Sequence, residues 1–479
     1  YCSVVHLDLK GAPWKVDYLS KVIQFMKSHG AWGVLIEWED TFPYTSELIS
    51  IGSLGGSSRD GMYSHDEVKY IIQCIKDNKM EPIQLVQTIG HMEFVLKHSQ
   101  YKRLREVPRS PAVLCPTRPE SKTLVKNMIK QIMDAQPDAT YLHIGADEAW
   151  HMNVCADCQQ KSAANEHGPS SLYLEHIKAI ATFIKAKYPK VNVLMWDDMM
   201  RSIPVEVLKA YDLGSLVQPV VWNYQVKGQF QLNIHLWERY FFVFPKLWAA
   251  SAYKGANGSA QMVCSVQRYA SNQIAWQEEL SVYEGEFKFG GIILTGWSRY
   301  DHYATLCELL PVALPSLATC LLKYCIIPVE YISDTLPLED WPGHELARNV
   351  ESTHTLRTQI LQYLDGEQVT SWMNQWQLEH DYTSPMHVQI IIVIVNIIII
   401  IIIIIKPFIR TTTDIQLGTL RYCIFIHIIY LFYKIKIIRI FGASLFSVSP
   451  FANWQRPPPT YSILIFLWLL YSMSCLQLV

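Results

Sequence analysis

Apolar or alternating runs recur eight times between Val4 and Trp297, most of them separated by helical patterns. They are Val4–Lys10, Trp32–Trp38, Pro82–Thr88, Thr140–Glu148, Lys190–Asp197, Leu216–Tyr224, Lys246–Lys254 and Gly291–Trp297. Their length and patterning predict strands. Helical periodicity is clear in Val16–His29, His65–Lys79, Ser121–Ala135 and Ser171–Tyr188. In the third of these, Leu124, Met128, Ile129 and Ile132 share one face, as an amphipathic helix over a sheet requires. Gly30 follows the first helix and Pro189 the fourth, both ordinary stop signals. Strands alternating with helices imply a parallel sheet with crossovers. Eight units predict an α/β fold closed as a (β/α)8 TIM barrel over residues 1–320. No Gly-rich loop follows the first strand, which argues against a dinucleotide-binding sheet.

Beyond the barrel the pattern changes twice. Residues 321–388 read as a helical segment packing on the barrel. Pro328, Pro337 and Pro342 interrupt it, and Leu346–Leu364 forms an amphipathic helix with Gly366 as its stop. Residues 389–479 read as an Ile-rich tail foreign to the barrel. Ile390–Ile405 is apolar except for Asn396, and nine consecutive Ile fill 397–405. This stretch of 16 residues falls short of the ~20 that cross a bilayer. Its β-propensity and low charge are those of an aggregating segment. A membrane anchor, a folded part of the enzyme, and translated non-coding sequence on a truncated gene are the three readings of the tail.

The overall charge of −2 averages two unlike pieces. The tail has seven Lys/Arg against one acid, Asp414, so the first 388 residues hold 34 basic and 42 acidic side chains. Nothing in that balance points to nucleic acid. The first residue, Tyr1, nearly opens a strand, so an incomplete N-terminus is expected. Eleven Cys without a framework spacing suggest a reducing compartment.

The run Thr140-Tyr-Leu-His-Ile-Gly-Ala-Asp-Glu148 ends in two adjacent carboxylates. Tyr141, His143 and Gly145 fall on one side of such a strand, Leu142 and Ile144 on the other. Asp147 and Glu148 then point apart, which suits two separate roles rather than one shared proton. Barrel enzymes place their chemistry at the C-terminal ends of the strands. Those ends supply Lys10; Glu37, Trp38 and Glu39; Gln87 and His91; Asp147, Glu148 and Trp150; Trp196, Asp197 and Asp198; Trp222, Asn223 and Tyr224; and Trp297, Arg299, Tyr300 and Asp301. Carboxylates, a His, amides and several Trp in one ring fit a sugar site, because apolar sugar faces stack on aromatic rings.

His143-Ile-Gly-Ala-Asp-Glu148 resembles the catalytic signature of family 20 glycoside hydrolases, the β-N-acetylhexosaminidases. Gln87-Thr-Ile-Gly-His91, Trp196-Asp-Asp198, Val221-Trp-Asn-Tyr224 and Gly296-Trp-Ser-Arg-Tyr-Asp-His-Tyr303 extend the resemblance over residues 1–388. They look closest to the family's D-type branch, which lacks the lysosomal targeting arrangement. The resemblance implies exo-acting, substrate-assisted retaining hydrolysis of terminal β-linked N-acetylgalactosamine or N-acetylglucosamine, an exception to the two-carboxylate scheme. It implies that Asp147 orients the substrate's acetamide and that Tyr224 donates to the acetamide oxygen. Glu148 would be the general acid and base, with a raised pKa. Trp196, Trp222 and Trp297 would wall the acetyl group and sugar face. His91, Gln87, Lys10 and Asp301 would complete the substrate site. Other members carry an Arg where this chain reads Leu9-Lys10-Gly11, and an acid where it has Arg299; Asp301 is the candidate substitute. The branch implies galactosaminides over glucosaminides and a place in cytoplasm and nucleus; a homodimer is a separate expectation.

Cys155-Ala-Asp-Cys158 is half a zinc site with no matching second pair, so it reads as two free thiols and no metal or cofactor is expected. The chitinase pattern D-x-x-D-x-D-x-E is absent. Asp197-Asp198 keeps an O-GlcNAcase-like site as a rival enzyme. The rivals of other classes are an inactive truncated barrel and a protein held at a membrane by its tail.

Overall fold

The computed structural model describes residues 2–52, 61–283, 285–324 and 341–363. The expectations for residues 325–340, for Gly366 and for the tail 389–479 lie outside the described residues.

Eight parallel strands close into a barrel in sequence order: β1 (Cys2–Asp8), β2 (Gly33–Glu37), β3 (Glu81–Leu85), β4 (Tyr141–His143), β5 (Asn192–Trp196), β6 (Gln218–Trp222), β7 (Leu247–Lys254) and β8 (Phe289–Gly296). Strand β1 pairs with both β2 and β8, so no edge is left open. Closure removes the unpaired backbone row that an edge strand exposes. Helices Val16–Ser28, His65–Asp77, Pro119–Ala135 and Pro169–Lys187 stand where periodicity placed them. Ser64 caps the second in a reciprocal box with Glu67, and Pro169 opens the fourth, both favoured helix starts. Two long helices carry weaker signals. Val266–Val282 buries Asn272 and Gln273 on its inner face, and Leu310–Leu322 is apolar nearly all round with Pro315 inside it.

Alternation along the strands sorts the apolar residues into two layers. Val4, Leu35, Ile83, Leu194, Val220, Trp248 and Ile293 fill the barrel interior. Their neighbours Val5, Val34, Ile36, Leu142, Val193, Val221 and Ile292 face outward under the helices. Trp248 plugs the lower interior. A Cβ on Gly290 would approach its ring within 2.3 Å, so only glycine fits there.

Helix His344–Tyr363 follows the barrel. Trp341 Nε1 donates to the Pro311 carbonyl at 2.7 Å, and Tyr18 Oη donates to Pro342 at 3.3 Å. These bonds and buried Ala347 anchor the segment on Leu310–Leu322 and Val16–Ser28. No described helix is long and apolar enough to cross a membrane.

The fourth strand is shorter than its pattern suggested. Alternation predicted Thr140–Glu148, but regular strand ends at His143. Gly145 and Ala146 take left-handed φ angles of 61° and 73°, which no extended strand accommodates. Ladder bonds continue only to Ile144 N–Leu194 O, 2.8 Å, and Trp196 N–Gly145 O, 3.0 Å.

Candidate active site

The inward positions change character from bottom to top of the barrel. Val4 gives way to His6 and Asp8, Leu35 to Glu37, Leu194 to Trp196, Val220 to Trp222, and Ile293 to Thr295 and Trp297. One period-2 pattern therefore builds an apolar floor and a polar, aromatic rim.

At the rim, His91 stands between the two carboxylates. Its Nε2 lies 3.3 Å from Asp147 Oδ2 and 3.4 Å from Glu148 Oε2. Burial alone would lower the imidazole pKa. The charge of Asp147 and hydrogen bonds to both acids outweigh it and raise His91 well above the usual range. The hydrogen bond from His91 in turn holds Glu148 below its ordinary value, against partial burial. This direction is opposite to the raised value expected for Glu148. Glu148 keeps 43% of its side chain exposed, whereas Asp147 is 8% exposed. Oδ1 of Asp147 is buried without a hydrogen-bond partner.

Backbone strain concentrates here. His91, Ala146 and Glu148 all have positive φ without being glycine, an arrangement costing on the order of 1–3 kcal/mol per residue. The surroundings hold it in place. Tyr173 Oη donates to Ala146 O at 2.8 Å. Thr88 Oγ1 donates to Ile144 O at 2.8 Å. Asp198 Oδ2 accepts from Glu148 N at 3.0 Å. Gly90 lies so close to this segment that a Cβ on it would come within 1.9 Å of Asp147 O.

Asp198 did not figure among the residues assigned roles from sequence. It also accepts from Trp222 Nε1 at 3.2 Å, so it orients both the acid and the aromatic wall. Burial, then repulsion from Asp147, pushes its pKa up to about 7. Its signal was the doublet Asp197-Asp198. Asp197 is structural: Arg201 grips it through two bonds of 2.8 and 2.7 Å, and Tyr240 adds a third. A closed ion pair of this kind leaves it unsuited to the catalytic role of the rival Asp-Asp reading.

The aromatic residues lie close together at the rim. Trp196 and Trp297 lie 6.1 Å apart between ring centroids, and Trp222 stacks on Tyr224 at 5.2 Å. Trp196 Nε1 is buried without a partner. Burial raises the Tyr224 pKa, against a smaller opposing pull from the Thr295 and Trp297 side chains. Tyr224 therefore stays a neutral donor.

Three of the expected ligands sit beneath or beside the rim. Lys10 is buried under Trp297, 5.0 Å from the ring, with Nζ on Asp8 at 2.8 Å. Gln87 is wholly buried: Nε2 donates to Glu37 at 3.3 Å, and Oε1 accepts from Ala146 N at 3.3 Å. A Cβ on Gly145 would meet that Oε1 at 2.0 Å. Both side chains support the rim from below. Asp301 lies at the margin, its Oδ1 capping a turn through Tyr303 N and Ala304 N at 2.6 and 2.8 Å. Below them, Glu37 takes His6 Nε2 at 2.9 Å. Burial, reinforced by the Glu37 charge, pushes Glu39 upward, and its carboxyl bonds His302. Among the described residues, the cluster with metal-ligand spacing lies outside this rim, at Glu106, Cys115, Cys155 and Cys158.

A family described as a domain of unknown function, DUF4838, matches residues 85–209. Hexosaminidase D of Homo sapiens is 37% identical over 409 residues, which cover 81% of this chain and 83% of that protein. Hexosaminidase D of Bos taurus is 42% identical over 319 residues, covering 66% and 90%. Among solved structures, a β-N-acetylhexosaminidase from Bacteroides fragilis aligns over 66% of this chain and 65% of its own, at 19% identity and a TM-score of 0.48. With an eight-stranded barrel, acids beyond its fourth strand and 37–42% identity to these two relatives, the chain belongs to the hexosaminidase D family and is a glycoside hydrolase.

Proposed function

We propose that the site removes a terminal non-reducing β-linked N-acetylhexosamine, N-acetylgalactosamine before N-acetylglucosamine, using the substrate's own acetamide as nucleophile. The observation that carries this reading is Asp147 Oδ1, a buried carboxylate oxygen with no partner beside the acid Glu148. Such an atom costs about 1–3 kcal/mol or more until a donor reaches it. An acetamide N–H is a donor of the right kind, and it turns the acetamide oxygen toward C1.

In the proposed reaction that oxygen attacks C1 while the C1–aglycone bond breaks. The leaving oxygen takes the proton of Glu148. Asp147 offsets the positive charge of the oxazolinium ring, and Tyr224 holds the acetamide oxygen. Glu148 then deprotonates a water that attacks C1, reopening the ring with retention. The proton begins on His91. Covering half-exposed Glu148 with a sugar desolvates its carboxylate, which favours transfer from imidazolium to carboxyl. Trp196, Trp222 and Trp297 supply the apolar wall.

A thiazoline mimic of the bicyclic intermediate should inhibit competitively, as a transition-state-like ligand does. A plain galactoside without the acetamide should be nearly inert. Efficient galactoside cleavage with a trapped glycosyl-enzyme ester would point to a carboxylate nucleophile instead.

A further inference from the structure

Outside the sugar site, one cluster gathers chemistry that the hydrolysis does not use. The long loop after β3 folds back on itself through an antiparallel bridge, Arg105 with Leu114. Glu106 N bonds Val113 O at 3.0 Å and Cys115 N bonds Leu104 O at 2.8 Å, which brings Glu106 beside Cys115. The loop after β4 delivers Cys155 and Cys158 to the same point, at the start of helix Ala156–Ala163. The carboxylate oxygen and three Sγ atoms all lie within 4.8 Å of one another.

Their geometry can be compared with a tetrahedral zinc shell. Zn–S bonds of about 2.3 Å and Zn–O bonds of about 2.0 Å give S···S edges of about 3.8 Å and S···O edges of about 3.5 Å. Cys115 Sγ lies 3.6 Å from Cys155 Sγ and 3.6 Å from Cys158 Sγ. Cys158 Sγ lies 3.2 Å from Glu106 Oε2. Disulfide sulfurs would be at about 2.05 Å. The second layer fits as well. Val154 N and Cys155 N donate to Glu106 Oε1 at 2.7 and 2.9 Å, leaving Oε2 turned to the sulfurs. Cys158 N donates to Cys155 Sγ at 3.4 Å. Thr117 Oγ1 lies 3.1 Å from Cys115 Sγ and 3.4 Å from Cys158 Sγ. Fixed outer partners of this kind orient the ligands of metal sites. Cys115 and Cys158 are fully buried, with Leu172 packed against them.

We propose that Glu106, Cys115, Cys155 and Cys158 bind one zinc-class divalent cation, which clamps the loop after β3 to the loop after β4. Three sulfurs select a soft-tolerant tetrahedral ion over magnesium or calcium. The thiols release their protons to solvent on binding, and no redox step is involved. All four tetrahedral positions are filled by protein, so the role is structural. The clamped loops are those that carry His91 and Glu148, so the ion would steady the pair of loops that presents them.

The test is elemental analysis of the full chain, purified in mild detergent with a non-chelating reductant. About one zinc per chain is expected in the parent and equally in Glu148→Gln, so the metal assignment stands or falls apart from the hydrolytic one. The double variant Cys115→Ser/Cys158→Ser should hold roughly a tenth of that or less. Cobalt exchange into the parent should add sulfur-to-cobalt charge transfer in the near ultraviolet, which decides the matter should the double variant not fold. Parent protein that takes up no zinc or cobalt would overturn the proposal. So would full retention of zinc by the double variant, or a disulfide among these three cysteines in peptide mass spectra of unreduced protein.

Discussion

At the scale of single residues, the site divides labour by exposure. Asp147 is enclosed and Glu148 half open, with His91 between them. Glu148→Gln should fold normally and lose roughly 10²–10⁴ in rate on an unactivated disaccharide. An activated phenyl glycoside needs less protonation and should suffer less. Equal rates for variant and parent on the disaccharide would remove Glu148 from the acid role. His91 sets a second expectation. Its raised pKa keeps one proton in the site to higher pH than a lone Glu could. The basic limb of kcat/KM, which reports the free enzyme, should lie above the ordinary His range of about 6.5. In His91→Gln it should shift toward acid. An unmoved limb would mean that another group holds the proton. The gathering of these residues at one rim was legible from sequence at this scale, because acids, His and Trp at strand ends have few structural uses in common. Lys10 and Gln87 lie buried beneath the rim, and strand position alone does not tell such a residue from one on the rim itself. The cysteine cluster was missed because Cys115 and Glu106 join Cys155 and Cys158 only through the fold of two loops.

At the scale of elements, apolar or alternating runs revealed all eight strands, and their boundaries differ by only a few residues from the pattern. The exception is β4, where Gly145 and Ala146 turn the chain out of the sheet so that Asp147 and Glu148 leave it at separate angles. Hydrophobic pattern carries no information about such a turn, which Gln87 and Tyr173 enforce from other elements. Helices Val266–Val282 and Leu310–Leu322 escaped for related reasons. Amides face inward in one, and the other has no polar face. The contact between Gly90 and Asp147 O is testable. Gly90→Ala forces the turn after β3 away from the end of β4. It should cost about 1–3 kcal/mol in urea denaturation and, by displacing Asp147, lower kcat on the order of 10²-fold. Full activity would show that the two segments part without moving the acid.

At the scale of the whole molecule, the closed barrel commits titratable groups to a dry interior. His176, on helix Pro169–Lys187, is buried against Thr88 O at 2.9 Å. Burial pulls its pKa down to about 4, while the unfolded chain keeps about 6.5. Between these values the unfolded state binds the extra proton, so this residue's contribution to stability shrinks as pH falls from about 6.5 toward 4. His176→Gln keeps a donor for Thr88 and cannot titrate. Measured by urea at several pH values, the parent should lose ground to the variant by up to about 1.4 kcal/mol per unit across that window. A constant difference would mean the imidazole is not buried neutral. The central claim concerns the reaction the barrel serves, that the substrate's acetamide oxygen makes the bond to C1. The direct measurement is kcat/KM on one aryl N-acylhexosaminide whose acyl methyl carries zero, one, two or three fluorines. Each fluorine withdraws electrons from the acyl oxygen with little change in size. The account predicts a steep fall along the series, and a flat profile would contradict it.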